Sequence, residues 1–298
     1  MINPYLPKSI YQSILEPYKL CESYERNVAE NNKSFDTGIE YRLQPVYTKE
    51  LWLKLKRAGY SPKEFKNLDI LETCAGTGFL TYHLLKKCSP KSMTINEISI
   101  AEINSSKHLI KSSNLEKNVN WVQGDMNSIN FSKKFDLILG NSFLHHFYDV
   151  PKTLKIFSSL LKNKGTFISL HEPTPIANIL ESGKTLLYPL AVLFPNFMNE
   201  LIRIKKKPNS LGADIWLFEI KKLKKVILDS GFSKVRFFSW HLLRPLVVQN
   251  NSLHLNTIKK HLTINEEKKL ERAFNIDSKL NFILPSSFFG SICIVCEK

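Results

Sequence analysis

The sequence predicts an α/β fold built on a doubly wound, mostly parallel sheet, and three observations carry that prediction. From Leu68 onward, short apolar runs alternate with amphipathic stretches of helical length. The first run ends in a turn of small residues that opens a helix. Acidic residues close the first three runs instead of interrupting them.

Taken in order, residues 1–66 mix aromatic and charged side chains without that alternation and read as an N-terminal helical cap, with a helix expected over Lys49–Ala58. The core is expected over 67–172. Its strands are Leu68–Glu72, Ser92–Asn96, Val119–Gln123, Phe135–Leu139 and Thr166–Leu170, and its helices Phe79–Cys88, Ile98–Ser112 and Lys152–Leu161. Asn163-Lys-Gly165 supplies a turn into the fifth strand. After His171-Glu-Pro-Thr-Pro175 the alternation stops, and 173–230 reads as a lid or substrate insertion. Within it Ile176 to Asn199 is apolar and aromatic, Arg203 to Lys207 is basic, and a helix is expected over Trp216–Asp229, ended by Ser230-Gly231. Residues 231–298 complete the sheet with strands at Val235–Trp240 and Gly290–Cys296, joined through a helix at Glu266–Phe274.

A chain of 298 residues can bury one substantial core with added segments. Its longest apolar run, Leu186 to Pro195, is too short to span a bilayer, and no basic stretch followed by an apolar run opens the chain. A cytoplasmic protein is expected. The net charge of +15 raises a nucleic-acid partner, but among 42 basic residues only 7 are Arg, the residue whose planar fork reads phosphates and bases. The lysines are read as solvated surface, which argues against nucleic acid. Cys21, Cys74 and Cys88 are scattered; Cys293 and Cys296 form a CxxC in an apolar run. Positions three apart on a strand face opposite sides, so these two thiols should not converge, and no metal site is expected.

The chemistry begins at Ile70-Leu-Glu-Thr-Cys-Ala-Gly-Thr-Gly78, a strand leading through a glycine turn into a helix. Glycine lets a ligand approach the backbone, and the carboxyl end of the first strand is where such sheets bind nucleosides. A dinucleotide fingerprint would require a third glycine after Gly78, where Phe79, Leu80 and Thr81 stand instead. Glu72, at the strand end, would repel a pyrophosphate but suits the cationic methionine portion of S-adenosylmethionine.

These residues resemble the first motif of the class I S-adenosylmethionine-dependent methyltransferases, acidic-x-Gly-x-Gly-x-Gly, with Glu72, Gly76 and Gly78 matching and Cys74 in place of the first glycine. The resemblance extends over about residues 68–172. It implies a Rossmann-like, seven-stranded sheet with an antiparallel last strand. Thr94-Ile-Asn-Glu97 places a carboxylate where it can accept the ribose hydroxyls, a role that dinucleotide-binding proteins also give an acid. By resemblance Asp125, in Trp121-Val-Gln-Gly-Asp-Met126, accepts from the adenine amino group, and Met126 lines the adenine slot. Phe135 to Phe147 resembles the fourth motif of the family's small-molecule branch, which places Gly140 and Asn141 beside the methionine portion. The Asn/Asp-Pro-Pro-aromatic motif of the branch acting on base amines is absent.

Methyl transfer mainly requires the acceptor to be held near attack distance, and a weak nucleophile also needs a base, for which His is suited near neutral pH. His145, His146, His171 and Glu172 are expected over one mouth, with His146 and His171 the preferred pair and Glu172 orienting an imidazole or meeting a cationic acceptor. The lid points to a small apolar or aromatic acceptor, methylated at a hydroxyl oxygen, with carbon or nitrogen as the alternative. Residues 185–207 could instead touch a membrane surface. Rival readings are a short-chain oxidoreductase, whose Tyr-x-x-x-Lys occurs as Tyr82 to Lys86 but on the wrong helix, and a non-catalytic or RNA-associated protein of the same fold.

Overall fold

A computed structural model describes residues 43–147, 149–177, 217–243 and 262–298. Most of the expected lid and the 185–207 surface lie outside the described residues, as do Cys21 and most of the expected cap; the helix expected over Trp216–Asp229 is present from Ile220 to Asp229.

Along the described chain the elements are α1 (Pro45–Ala58), β1 (Asp69–Thr73), α2 (Phe79–Lys87), β2 (Ser92–Glu97), α3 (Ile100–Ser112), β3 (Val119–Gln123), β4 (Phe135–Gly140), α4 (Val150–Leu160), β5 (Leu161–Pro173), α5 (Ile220–Asp229), β6 (Lys234–Trp240), α6 (Ile264–Leu280) and β7 (Ser291–Glu297). The strands form one seven-stranded sheet in the order β3-β2-β1-β4-β5-β7-β6. β1 to β5 run parallel, and β7 lies antiparallel between β5 and β6. The order reverses beside β1, so the ends of β1 and β4 flank the crevice in which such sheets bind ligands.

Local chemistry sets the helix ends. Pro45 opens α1, where its missing N–H costs no hydrogen bond, and Gly59 closes it in the left-handed region at φ 97°. Ser99 caps α3 by accepting from Glu102, Asp149 caps α4 by accepting from Lys152, and Thr263 with Glu266 forms a reciprocal cap on α6. That last cap starts α6 before the expected Glu266, and the helix runs on to Leu280.

Two apolar layers cover the sheet. Leu51 and Leu55 of α1 with Leu80 and Leu84 of α2 pack on Ile70, Leu137, Ile168 and Val295. On the other face Leu154 and Phe157 of α4 with Leu223, Val226 and Ile227 of α5 pack on Leu71, Ile138, Phe167 and Ile294. Cys296 belongs to this second layer, while Cys293 points away from it and donates to the Leu170 carbonyl at 2.7 Å. Burial pushes the Cys293 thiol up to about 12, so it stays protonated near neutral pH.

One turn differs from expectation. Asn163-Lys-Gly165 does not precede β5 but lies within it: the pairing with β4 jumps from Phe135↔Leu161 to Leu137↔Thr166. Lys164 takes up the extra length at φ 64°, so the turn residues act as an irregularity in a strand that starts at Leu161.

Candidate active site

All five residues of β1 are buried, and the chain then turns through Cys74, Gly76 and Gly78 at φ 51°, 54° and 86°. The two glycines serve different ends. A side chain on Gly76 would meet nothing nearer than the Glu102 carboxylate at 4.0 Å, so the turn is open above it. A Cβ on Gly78 would lie 2.2 Å from Ser106 Oγ and 3.2 Å from its Cα, so this glycine lets α2 approach α3. Gly140 also permits close packing, because a Cβ there would lie 2.7 Å from the Thr73 carbonyl and from the Phe143 ring. Cys74 holds the left-handed conformation with a side chain, and burial pushes its thiol well above the ordinary cysteine range, with Glu97 adding to the shift.

Three carboxylates face this turn or support it. Glu72 is buried and accepts from the Thr81 hydroxyl at 2.7 Å; burial pushes its carboxyl up to about 8 against that bond. Glu97 closes β2 and accepts the Gly76 N–H at 2.8 Å and the Ser99 N–H at 2.9 Å. Asp125 follows Gly124 and accepts from the Asn127 N–H at 2.9 Å, which orders the turn after β3. Met126 is buried in the apolar layer beneath α4 and α5, so its side chain serves the core as well as that turn.

Sequence reading missed the residue that joins these turns. Asn96 is buried at the end of β2, accepts from Thr73 Oγ1 at 3.3 Å, and donates to the Val122 and Gly124 carbonyls at 3.2 and 2.9 Å. One amide thus ties together the carboxyl ends of β1, β2 and β3. A polar residue inside an apolar run was the available signal, and only the fold supplies its partners.

The second half of the site lies over β4 and β5. Glu172 is fully buried and accepts the backbone N–H groups of Phe143, Leu144 and His145 at 3.3, 2.9 and 3.0 Å. It also pairs with His145 Nδ1 at 2.6 Å and accepts from Ser169. Burial alone would push this carboxyl up, but His145 and the donors outweigh it and hold it below the ordinary value. Glu172 thus pairs with an imidazole, and being fully buried it presents no surface to an acceptor. His145 is buried too, and half-buried His146 packs against it at a tilt of 47° with ring centroids 4.1 Å apart. His171 is half-buried against His241 at 4.6 Å. Asn141 is half-buried beside Ser142, which turns the chain at φ 59°.

The donor set suits a cationic nucleoside. Glu97, Glu102 and Asp125 gather after β2 and β3, and the stretches 72–78, 94–103 and 121–128 contain no Lys or Arg to receive a pyrophosphate; Glu72, buried and protonated near neutral pH, supports the turn without adding charge. Lys91, Lys133 and Lys162 instead pair with Asp69 at the opposite, amino end of β1.

Residues 64–191 match the methyltransferase domain family. Over 211 residues the chain is 28% identical to the demethylmenaquinone methyltransferase of Lactobacillus johnsonii, covering 68% of this chain and 83% of that enzyme. A shorter match of 103 residues, 29% identical, links it to the malonyl-[acyl-carrier protein] O-methyltransferase of Priestia megaterium, covering 35% of this chain and 36% of that one. Among solved structures, phosphoethanolamine N-methyltransferase 2 of Haemonchus contortus in complex with S-adenosyl-L-methionine shares the fold at a TM-score of 0.54 and 13% identity. That match covers 96% of this chain and 60% of the Haemonchus enzyme.

Proposed function

We propose that the chain, an S-adenosylmethionine-dependent methyltransferase by its match to the methyltransferase domain family and to named methyltransferases, takes a small apolar or aromatic acceptor and methylates it at a hydroxyl oxygen. The observation that carries this reading is the pair of imidazoles at the ends of β4 and β5, His146 and His171, each half-buried against a second histidine. Such groups can take a proton from a hydroxyl near neutral pH.

The residues that would hold the cofactor are Glu72, Cys74, Gly76 and Gly78 of the first turn, Glu97 for the ribose, Asp125 and Met126 for the adenine, and Gly140 and Asn141 for the methionine portion. When bound, S-adenosylmethionine supplies a methyl already activated on a sulfonium. The protein's own task is to align the acceptor, exclude water and remove one proton. His145, fixed by Glu172, backs His146; His171 approaches from the neighbouring strand. With the cofactor bound, the imidazole of His146 or His171 would take the acceptor's hydroxyl proton as the methyl is transferred.

A second reading places the methyl on a ring carbon. The match to a demethylmenaquinone methyltransferase over 68% of this chain favours it, because a quinone-type acceptor is also apolar and aromatic, and its reduced hydroxyl would be deprotonated by the same bases. Incubation with the cofactor and a panel of phenols, hydroquinones, carrier-linked acyl groups and RNA, read by mass spectrometry, tests both. A methylated phenol or hydroquinone supports the proposal, and fragmentation assigns the atom. Methyl gain on the carrier-linked acyl group or on RNA alone would refute it.

A further inference from the structure

We propose that Glu50 and His241 form a positioning pair that fixes the ring and proton exchange of His171, placing the acceptor side of the site over β5, β7 and β6. The inference rests on the reading of His171 as an acid–base group given above. It concerns residues distant in sequence from the family motifs.

Glu50 lies on the buried side of α1 and is 6% exposed. It binds Lys54 one turn later at 2.5 Å and His241 Nε2 at 2.8 Å. His241 follows β6 directly, in the left-handed region at φ 63°, which histidine enters more readily than most side chains. Its ring is 6% exposed, meets the His171 ring at 4.6 Å and 52°, and meets the Phe274 ring of α6 at 6.4 Å. The same turn is anchored a second time: Asp277 of α6 is fully buried and accepts the N–H groups of Leu242 and Leu243 at 3.1 and 3.0 Å.

Two helices outside the sheet thus each commit a buried carboxylate to the turn after β6. Burying Glu50, Lys54 and Asp277 is costly, and apolar residues could cover a strand end without that cost. What the arrangement delivers is one ordered imidazole, His241, packed at a tilt against a half-buried one, His171, at the carboxyl end of β5. The charged and titratable groups around this pair are Glu50 and Lys54 from α1, Asp277 from α6, and Cys293 from β7, which lies within electrostatic reach of Glu50, Lys54 and Arg57. Glu50 places a carboxylate 2.8 Å from His241 Nε2, and Lys54 places an ammonium on that same carboxylate.

The test is nitrogen-15 NMR of histidine-labelled full-length protein titrated with acid, with resonances assigned through His171→Asn and His241→Asn. The His241 titration should move in opposite directions in Glu50→Gln and Lys54→Met, which remove a negative and a positive charge; a purely structural defect does not produce that pattern. The His171 curve should change shape in both variants and become a single-site curve in His241→Asn. Calorimetry with S-adenosylmethionine should give wild-type affinity in Lys54→Met, which shows that the fold is kept. Superimposable His171 curves in wild type, Glu50→Gln and His241→Asn would overturn the pairing. Full methyl transfer by His171→Asn beside an intact coupling would instead sink the acid–base role of His171 and leave the pairing standing.

Discussion

The carboxylate of Glu97 accepts the backbone N–H of Gly76 at 2.8 Å, which joins the end of β2 to the glycine turn after β1. With its other oxygen on the Ser99 N–H, one side chain orders both the turn and the start of α3. Glu97→Gln must set an amide NH₂ against one of those donors. It should lose about 1–2 kcal/mol of stability without cofactor, seen as a lower denaturant midpoint. An unchanged midpoint would mean that the turn is held by other bonds.

The 2.2 Å gap between a Gly78 Cβ and Ser106 Oγ gives a second expectation. Gly78→Ala combines a left-handed backbone with a collision against α3, and should cost about 2–4 kcal/mol. Ser106→Gly in the same chain should recover the packing part and leave the backbone part. Thermal unfolding of the single and double variants separates the two.

Glu72 makes stability depend on pH. Its carboxyl is pushed up to about 8 in the folded chain, by burial first and by Glu97 in addition, against an ordinary value of 4.5. Between those values the folded state keeps a proton that the unfolded state releases, so this group's contribution is full below the lower value and is lost as pH rises through the upper one. Glu72→Gln stays neutral and keeps an acceptor for Thr81. Its stability relative to wild type should therefore improve steadily from pH 5 to about pH 8, by at most a few kcal/mol. A difference that does not vary with pH would contradict the buried, protonated state.

Glu172 has the opposite sign. Held below its ordinary value by His145 and its other donors, it adds stability above that value which is lost as pH falls through the depressed one. Glu172→Ala should cost about 3–5 kcal/mol at neutral pH, because it strands three backbone donors and the His145 ring. The penalty should shrink in acid, which urea titrations at several pH values will measure.

The strands were legible because each is an apolar run closed by a polar residue. The expected Leu68–Glu72 and Val119–Gln123 correspond to Asp69–Thr73 and Val119–Gln123. The start of β5 was not legible: Leu161 reads as the last turn of an amphipathic helix, and only pairing with Phe135 makes it a strand. In the site, glycines and terminal acids were visible as a pattern of residue types at set spacings. Their division of labour was not, since nothing in the sequence says that Gly78 faces Ser106 while Gly76 faces open space. Glu50 and His241 lie 191 positions apart and carry no local pattern at all.

The most direct measurement is calorimetric titration of the full-length protein with S-adenosylmethionine and, separately, NAD. The account predicts saturable one-site binding of the first and none of the second, with Glu97→Ala and Asp125→Ala each weakening it by about 1–3 kcal/mol. Wild-type affinity in both variants, or NAD bound in place of the sulfonium nucleoside, would contradict it.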